Sequence, residues 1–114
     1  MSSIYLENFS NKEDVALTFF LGSELDDLDI LLAWYGCGSY AGSAYVLSRD
    51  PEGNLCDVSS GHCSCYGLED SWLPVKTSVK ALAKIAENFD TYYDGAAEAK
   101  TALKSIVAEL GAAE

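Results

Sequence analysis

Ser43-Ala44-Tyr45-Val46-Leu47-Ser48-Arg49-Asp50-Pro51-Glu52-Gly53-Asn54-Leu55-Cys56-Asp57-Val58-Ser59 is the stretch on which the reading of the fold turns. Residues 43–49 are rich in strand formers, whose side chains suit a pleated, half-buried surface. Asp50-Pro51-Glu52-Gly53 then punctuates the run. Proline presets φ at the second turn position, and glycine accepts a positive φ where the turn closes. Asn54–Ser59 returns as the next strand, so the stretch predicts an antiparallel hairpin.

Upstream, Asp29-Ile30-Leu31-Leu32-Ala33-Trp34-Tyr35 is a continuous apolar run bounded by Gly36. Such a run suits a strand covered on both faces, with a buried helical turn as the alternative. Gly36–Gly42 reads as a loop or a glycine-loosened hairpin tip. The three runs together predict a three-stranded antiparallel meander within residues 29–66. A bare meander of that size is marginal in water, so helices have to cover a face.

The flanks supply them. Ser10 followed by Glu13 has the capping-box pattern, and Val15, Ala16, Phe19 and Phe20 recur at helical spacing before Gly22. A helix is predicted over 11–21. Ser23 to Asp26 repeats the cap logic and predicts a short turn at 24–28. Thr77 or Ser78 caps a helix over 77–89 whose buried stripe is Val79, Leu82, Ala86 and Phe89. A last helix is predicted over 93–110, with Ala99, Leu103, Ile106 and Leu110 inward and Gly111 as its stop. The expected fold is therefore one α+β domain over 1–114: a three-stranded meander, a short N-terminal helix and two C-terminal helices.

Composition bounds the function. A chain of 114 residues, 49% of them hydrophobic, suits one ordered domain with a modest core. No run of about 18 apolar residues exists to span a membrane. The N-terminus lacks a basic region followed by an apolar one, so a cytoplasmic setting is expected, where cysteines stay reduced. Lys and Arg number 7 against 18 Asp and Glu, a net charge of −11. Phosphate backbones repel such a chain, which argues against direct nucleic-acid binding. Basic protein surfaces attract it, with fast and salt-sensitive association; plain solubility is the competing explanation.

The acids are unevenly spread. Glu7, Glu13, Asp14, Glu24, Asp26, Asp27 and Asp29 crowd the first thirty residues against Lys12 alone, whereas Lys76, Lys80, Lys84, Lys100 and Lys104 nearly balance the C-terminal helices. Trp34, Tyr35, Tyr40, Tyr45, Tyr66 and Trp72 share the acidic part. Aromatics anchor interfaces while carboxylates steer encounter. The candidate partner-binding residues are thus Glu24, Asp26, Asp27 and Asp29 for steering, with Tyr40 and Tyr45 as anchors; ordinary core filling is the alternative for the aromatics.

Gly61-His62-Cys63-Ser64-Cys65-Tyr66-Gly67-Leu68-Glu69-Asp70-Ser71-Trp72 concentrates reactive side chains, including the one histidine. Cys56, His62, Cys63 and Cys65 are zinc-type ligands, with Cys37 as a further candidate. The C-x-C spacing is not that of a paired zinc knuckle, and cysteine is often simply a small core residue. His62 beside Cys63 activates a thiol only with a third, orienting group; none is identifiable along the chain, and Asp57 or Glu69 could supply one only by approach in three dimensions. Walker A, G-x-G-x-x-G, G-x-S-x-G and calcium-loop patterns are all missing. Neither an enzyme nor a cofactor is expected.

The Ser43–Leu47 run, the turn to Leu55, and the His-Cys-Ser-Cys-x-Gly-Leu-Glu-x-x-Trp core with Pro74 resemble a group of small uncharacterised proteins of bacteriophages and related mobile elements. The resemblance spans roughly residues 30–85. It implies no chemistry that transfers residue by residue. By analogy of size, charge and origin it implies an anti-defence protein, such as an anti-CRISPR or restriction inhibitor, whose carboxylates fill a basic groove of a host nucleic-acid-handling complex. The rival expectation is a zinc-binding or redox-responsive domain centred on His62, Cys63 and Cys65.

Overall fold

The computed structural model describes residues 4–7, 9–19, 25–37, 41–63, 74–89 and 95–113, with the side chains of 37, 41, 60–63, 112 and 113 outside that description. Strand β1 (Ile4–Glu7) is followed by α1 (Lys12–Thr18), β2 (Asp29–Cys37), β3 (Ala41–Arg49), β4 (Leu55–Cys63), β5 (Val75–Lys76), α2 (Val79–Glu87) and α3 (Ala96–Ala113). The fold is α+β. Its sheet is five-stranded in the order β1-β2-β3-β4-β5, with β1 parallel to β2 and the other neighbours antiparallel.

That corrects the expected three-stranded meander. β2, β3 and β4 form it, but it is the centre of a larger, mixed sheet. β1 has four residues and β5 two, too few to show strand alternation. Both exist because a long neighbour offers them a hydrogen-bonding edge, which is information held elsewhere in the chain. The parallel β1–β2 pair also needs a crossover, and α1 lies within it.

The hairpin follows its turn chemistry. The Gly53 N–H donates to the Asp50 carbonyl at 3.0 Å, and Gly53 takes φ +90, which L side chains rarely adopt. Asp50 Oδ1 accepts the N–H groups of Glu52 (3.0 Å) and Asn54 (2.8 Å). These bonds hold the Asp50 carboxyl below the usual carboxylate range, the Asn54 N–H contributing most.

The helix ends differ from the expected ones by one to three residues. At α1 the cap is Asn11, whose side chain accepts from Asp14 N–H at 2.9 Å. The Asp14 carboxylate in turn accepts from Ser10 N–H at 2.9 Å. The first bond is the forward half of a capping box set one residue later than the expected Ser10–Glu13 pair; the return bond from Asp14 reaches Ser10, the residue before the cap, rather than the cap itself, and the helix starts at Lys12. α2 is capped by Ser78, which accepts from Ala81 N–H. α3 runs through Gly111 rather than stopping there.

The sheet is covered on both faces. On one, Leu32, Trp34, Tyr45 and Leu47 pack against Leu82 and Ala86 of α2 and Ala99, Leu103, Ile106 and Leu110 of α3. On the other, Ile30, Ala33, Ala44, Val46 and Val58 pack against Phe9, Val15, Phe19 and Leu25. The register slips between Ile30 and Leu32. This bulge adds Leu31 and reverses the alternation: Ile30 and Leu32, two apart in sequence, enter opposite layers. It explains the unbroken apolar run 30–34.

A second glycine joins β1 to the helical layer. Glu7 ends β1 with φ 57, and Gly95, the residue before α3, has φ +75. A Cβ at Gly95 would run into the Glu7 side chain. Glu7 thus brings a carboxylate to the positive end of the α3 dipole. Among the described residues no helix is long and apolar enough to cross a membrane.

Candidate functional site

The register aligns Trp34 of β2 with Tyr45 of β3 and Tyr45 with Ser59 of β4. These three residues make one row across the sheet beneath the C-terminal end of α2. A cavity of about 530 Å³ lies over that row, within the size range of small-molecule sites. Trp34 and Tyr45 line it and are each only 2% exposed. Phe89, just past α2, stands edge-on to both, with ring centroids at 5.5 Å from Trp34 and 5.7 Å from Tyr45. Ile85 and Asn88 line the helix side; Asp57, Ser59 and Val75 line the β4–β5 side. Val75 is 63% exposed and marks the rim.

The polar centre of the cavity is a pair. Tyr45 donates its hydroxyl to Asp57 Oδ2 at 2.9 Å. Burial pushes the phenol well above its ordinary value, and the Asp57 charge and the hydrogen bond push the same way. Tyr45 is therefore a fixed donor. Burial likewise raises the Asp57 carboxyl, against the Tyr45 hydrogen bond and a backbone one, which lower it. No lysine or arginine is among the described lining residues, so Asp57 is a half-buried carboxylate held by neutral donors.

A second feature lies at the α1 side. Leu25–Asp27 form a turn whose Leu28 N–H donates to the Leu25 carbonyl at 3.1 Å. Asp26, Asp27 and Asp29 are exposed on and after it, as is Glu13 on α1. Lys12 crosses to this turn. Its ammonium donates to the carbonyl oxygens of Leu28 at 2.6 Å and Asp26 at 3.5 Å. The lysine thus braces the backbone under the carboxylates. Arg49 is the register partner of Asp29.

Of the sequence-predicted partner residues, Asp26, Asp27 and Asp29 come together on this exposed corner; Glu24 and Tyr40 lie outside the described residues. Tyr45 is in the interior, not at the surface: it shares the helix-covered face with Leu47, and its hydroxyl is committed to Asp57. It is a cavity wall rather than a surface anchor.

The candidate zinc-type ligands Cys56 and Cys63 do not lie near one point. Cys56 and Cys63 both lie on β4, and at about 3.3 Å per residue they stand roughly 20 Å apart. Cys56 is half-buried and free. Cys65 lies outside the described residues. The register does bring others together: Cys37 pairs with Gly42, and Gly42 with His62, so Cys37, His62 and Cys63 share one end of the sheet. Among the described residues no three His, Cys, Asp or Glu side chains form a metal-sized group.

The cavity, and the pairing of Asp57 with Tyr45 at its centre, were not among the expectations, which considered Asp57 only as an orienting group for His62 and Cys63. The available signal was a carboxylate inside a strand, flanked by Cys56 and Val58. Comparison with family models, curated proteins and solved structures finds no match to this chain.

Proposed function

We propose that this is a non-enzymatic binding protein that meets a basic surface on a partner protein through its acidic corner. The observation that carries the proposal is the exposure of Asp26, Asp27 and Asp29 around one braced turn, with Glu13 beside them and the nearby Lys12 ammonium turned to backbone carbonyls. The turn backbone under the carboxylates is held by Lys12, and the net charge of −11 steers a basic partner toward them. The resemblance of the His62–Trp72 motif to phage proteins supports directing the search at host nucleic-acid-handling complexes in the cytoplasm, with CRISPR effectors tested first. Nucleic acid itself and membranes are not the proposed partners.

The test is binding to purified effector complexes at about 50 mM and about 500 mM salt, across which surface charges become screened. Wild-type protein binds at low salt and releases at high salt. The triple variant Asp26→Lys, Asp27→Lys, Asp29→Lys keeps its fold, because exposed substitutions of this kind usually change stability by no more than about 0.5 kcal/mol, and it loses binding. Equal binding by the triple variant at low salt refutes the proposal.

One observation favours a second reading. The register gathers Cys37, His62 and Cys63 at one sheet end, a thiolate and imidazole set of the kind zinc accepts. In that reading the purified protein carries one equivalent of zinc, lost in Cys63→Ser. Metal-free protein of unchanged fold rules it out.

A further inference from the structure

We propose that the cavity between α2 and the sheet binds an organic ammonium ion, its nitrogen paired with the Asp57 carboxylate and its apolar stem lying against Trp34, Tyr45 and Phe89. The site is on the opposite face of the sheet from α1 and is independent of the acidic corner. The first argument is charge. A half-buried carboxylate without a cationic neighbour is costly, because lost hydration is not replaced by an ion pair. Asp57 is the one carboxylate among the described lining residues, and none of those residues is basic. A bound cation supplies the missing partner. An anionic ligand would face this carboxylate and the field of the whole chain.

The second argument is shape and surface. The lining is mostly apolar: Val75, Ile85 and Phe89 stand at its sides, with the nearly covered rings of Trp34 and Tyr45 beneath them, and the edge-on ring pairs at 5.5 and 5.7 Å tie Phe89 to both. Ring quadrupoles attract ammonium groups in addition to offering apolar contact. The Tyr45 hydroxyl fixes the carboxylate through Oδ2, so the charge is positioned before a ligand arrives. The opening beside exposed Val75 and a volume of about 530 Å³ admit a small amine or the end of one lysine side chain. Those two sources share one chemistry.

The experiment titrates the intact protein with phenethylammonium chloride, with its neutral analogue 2-phenylethanol, and with Nα-acetyl-lysine amide, following backbone amide NMR shifts at Tyr45, Asp57 and Phe89. At least one of the two ammonium probes binds about tenfold or more tightly than the alcohol, the scale of one charge-assisted contact. Preference for phenethylammonium identifies a free amine, and preference for acetyl-lysine amide a protein side chain. Asp57→Asn keeps an acceptor for Tyr45 and changes the net charge by only one, so it separates local pairing from the general field. It abolishes the preference over the alcohol. Ile85→Trp, which fills the space from the helix side, blocks all three probes without touching Asp57. The proposal is overturned by equal affinity for ammonium and alcohol, by unchanged ammonium affinity in Asp57→Asn or Ile85→Trp, or by no shift at the cavity with either ammonium probe at about 10 mM.

Discussion

Tyr45→Phe removes one oxygen and, with it, the hydrogen bond that organises the cavity. The ring stays, and its edge-on contact with Phe89 at 5.7 Å stays with it, so no packing is lost. What changes is the 2.9 Å bond to Asp57. Hydrogen bonds to charged groups are worth about 1.5–3 kcal/mol, and Asp57 is only half-buried, so water can replace part of that; about 1–1.5 kcal/mol of lost stability is expected. Unfolding entropy of about 2.1 cal/mol/K per residue converts this to a fall in Tm of about 4–6 °C for a chain of this size. Thermal unfolding followed by circular dichroism measures it. The decisive comparison is the same substitution in an Asp57→Ala background. There the Tyr45 hydroxyl has already lost its acceptor, so Tyr45→Phe is neutral or stabilising. A Tm change under about 1 °C in the wild-type background, or the same loss in both backgrounds, refutes the reading of the pair.

Three other outcomes follow from the same structure. Asp57 has a folded carboxyl raised by burial, so its protonated form favours the folded state. That contribution is complete below the unfolded carboxyl's ordinary value and is lost as pH rises through the raised folded one. Asp57→Asn is therefore most favourable, relative to wild type, at neutral pH, and the urea-midpoint difference shrinks as pH falls through the acid range; a pH-independent difference contradicts it. Gly53→Ala costs about 1 kcal/mol, because Gly53 has φ +90 while a Cβ there meets nothing within 4 Å; the loss is purely conformational, and Gly53→Asn recovers part of it in urea unfolding. Leu103→Ala, at a fully buried position between α3 and the sheet, costs about 3 kcal/mol, and a loss below about 1 kcal/mol in the same assay would contradict the packing described.

How much of this was legible in the chain depends on where the determining information sits. The Asp50–Gly53 turn is local: proline, glycine and an aspartate able to bond its neighbours' amides occupy consecutive positions, and the hairpin follows. The stripes Leu82–Ala86 and Ala99–Leu103–Ile106–Leu110 are nearly as local, since each helix repeats its own burial pattern. β1 and β5 are not local. Ile4–Glu7 becomes a strand only because β2 lies beside it, and nothing within four residues encodes that.

Tyr45 shows the same limit at the level of function. Grouping aromatics with acids by sequence position made it a surface anchor. Position along the chain says nothing about face, however, and β3 is buried on both faces, with Ala44 and Val46 on one and Tyr45 and Leu47 on the other. A strand covered on both sides has no polar alternation to mark which residues point toward which layer. What distinguishes the two faces is what covers them. The α1 face is closed by Phe9, Val15 and Phe19, whereas the α2 end leaves space above Tyr45 and its partner Asp57. A carboxylate on the closed face would be a cost without use; on the face that leaves a cavity, the same carboxylate can select a ligand. The acids of this chain therefore divide by their surroundings: Asp26, Asp27 and Asp29 carry exposed charges that salt can screen, and Asp57 carries a half-buried charge that salt screens far less, so the two proposed binding modes differ in their dependence on salt.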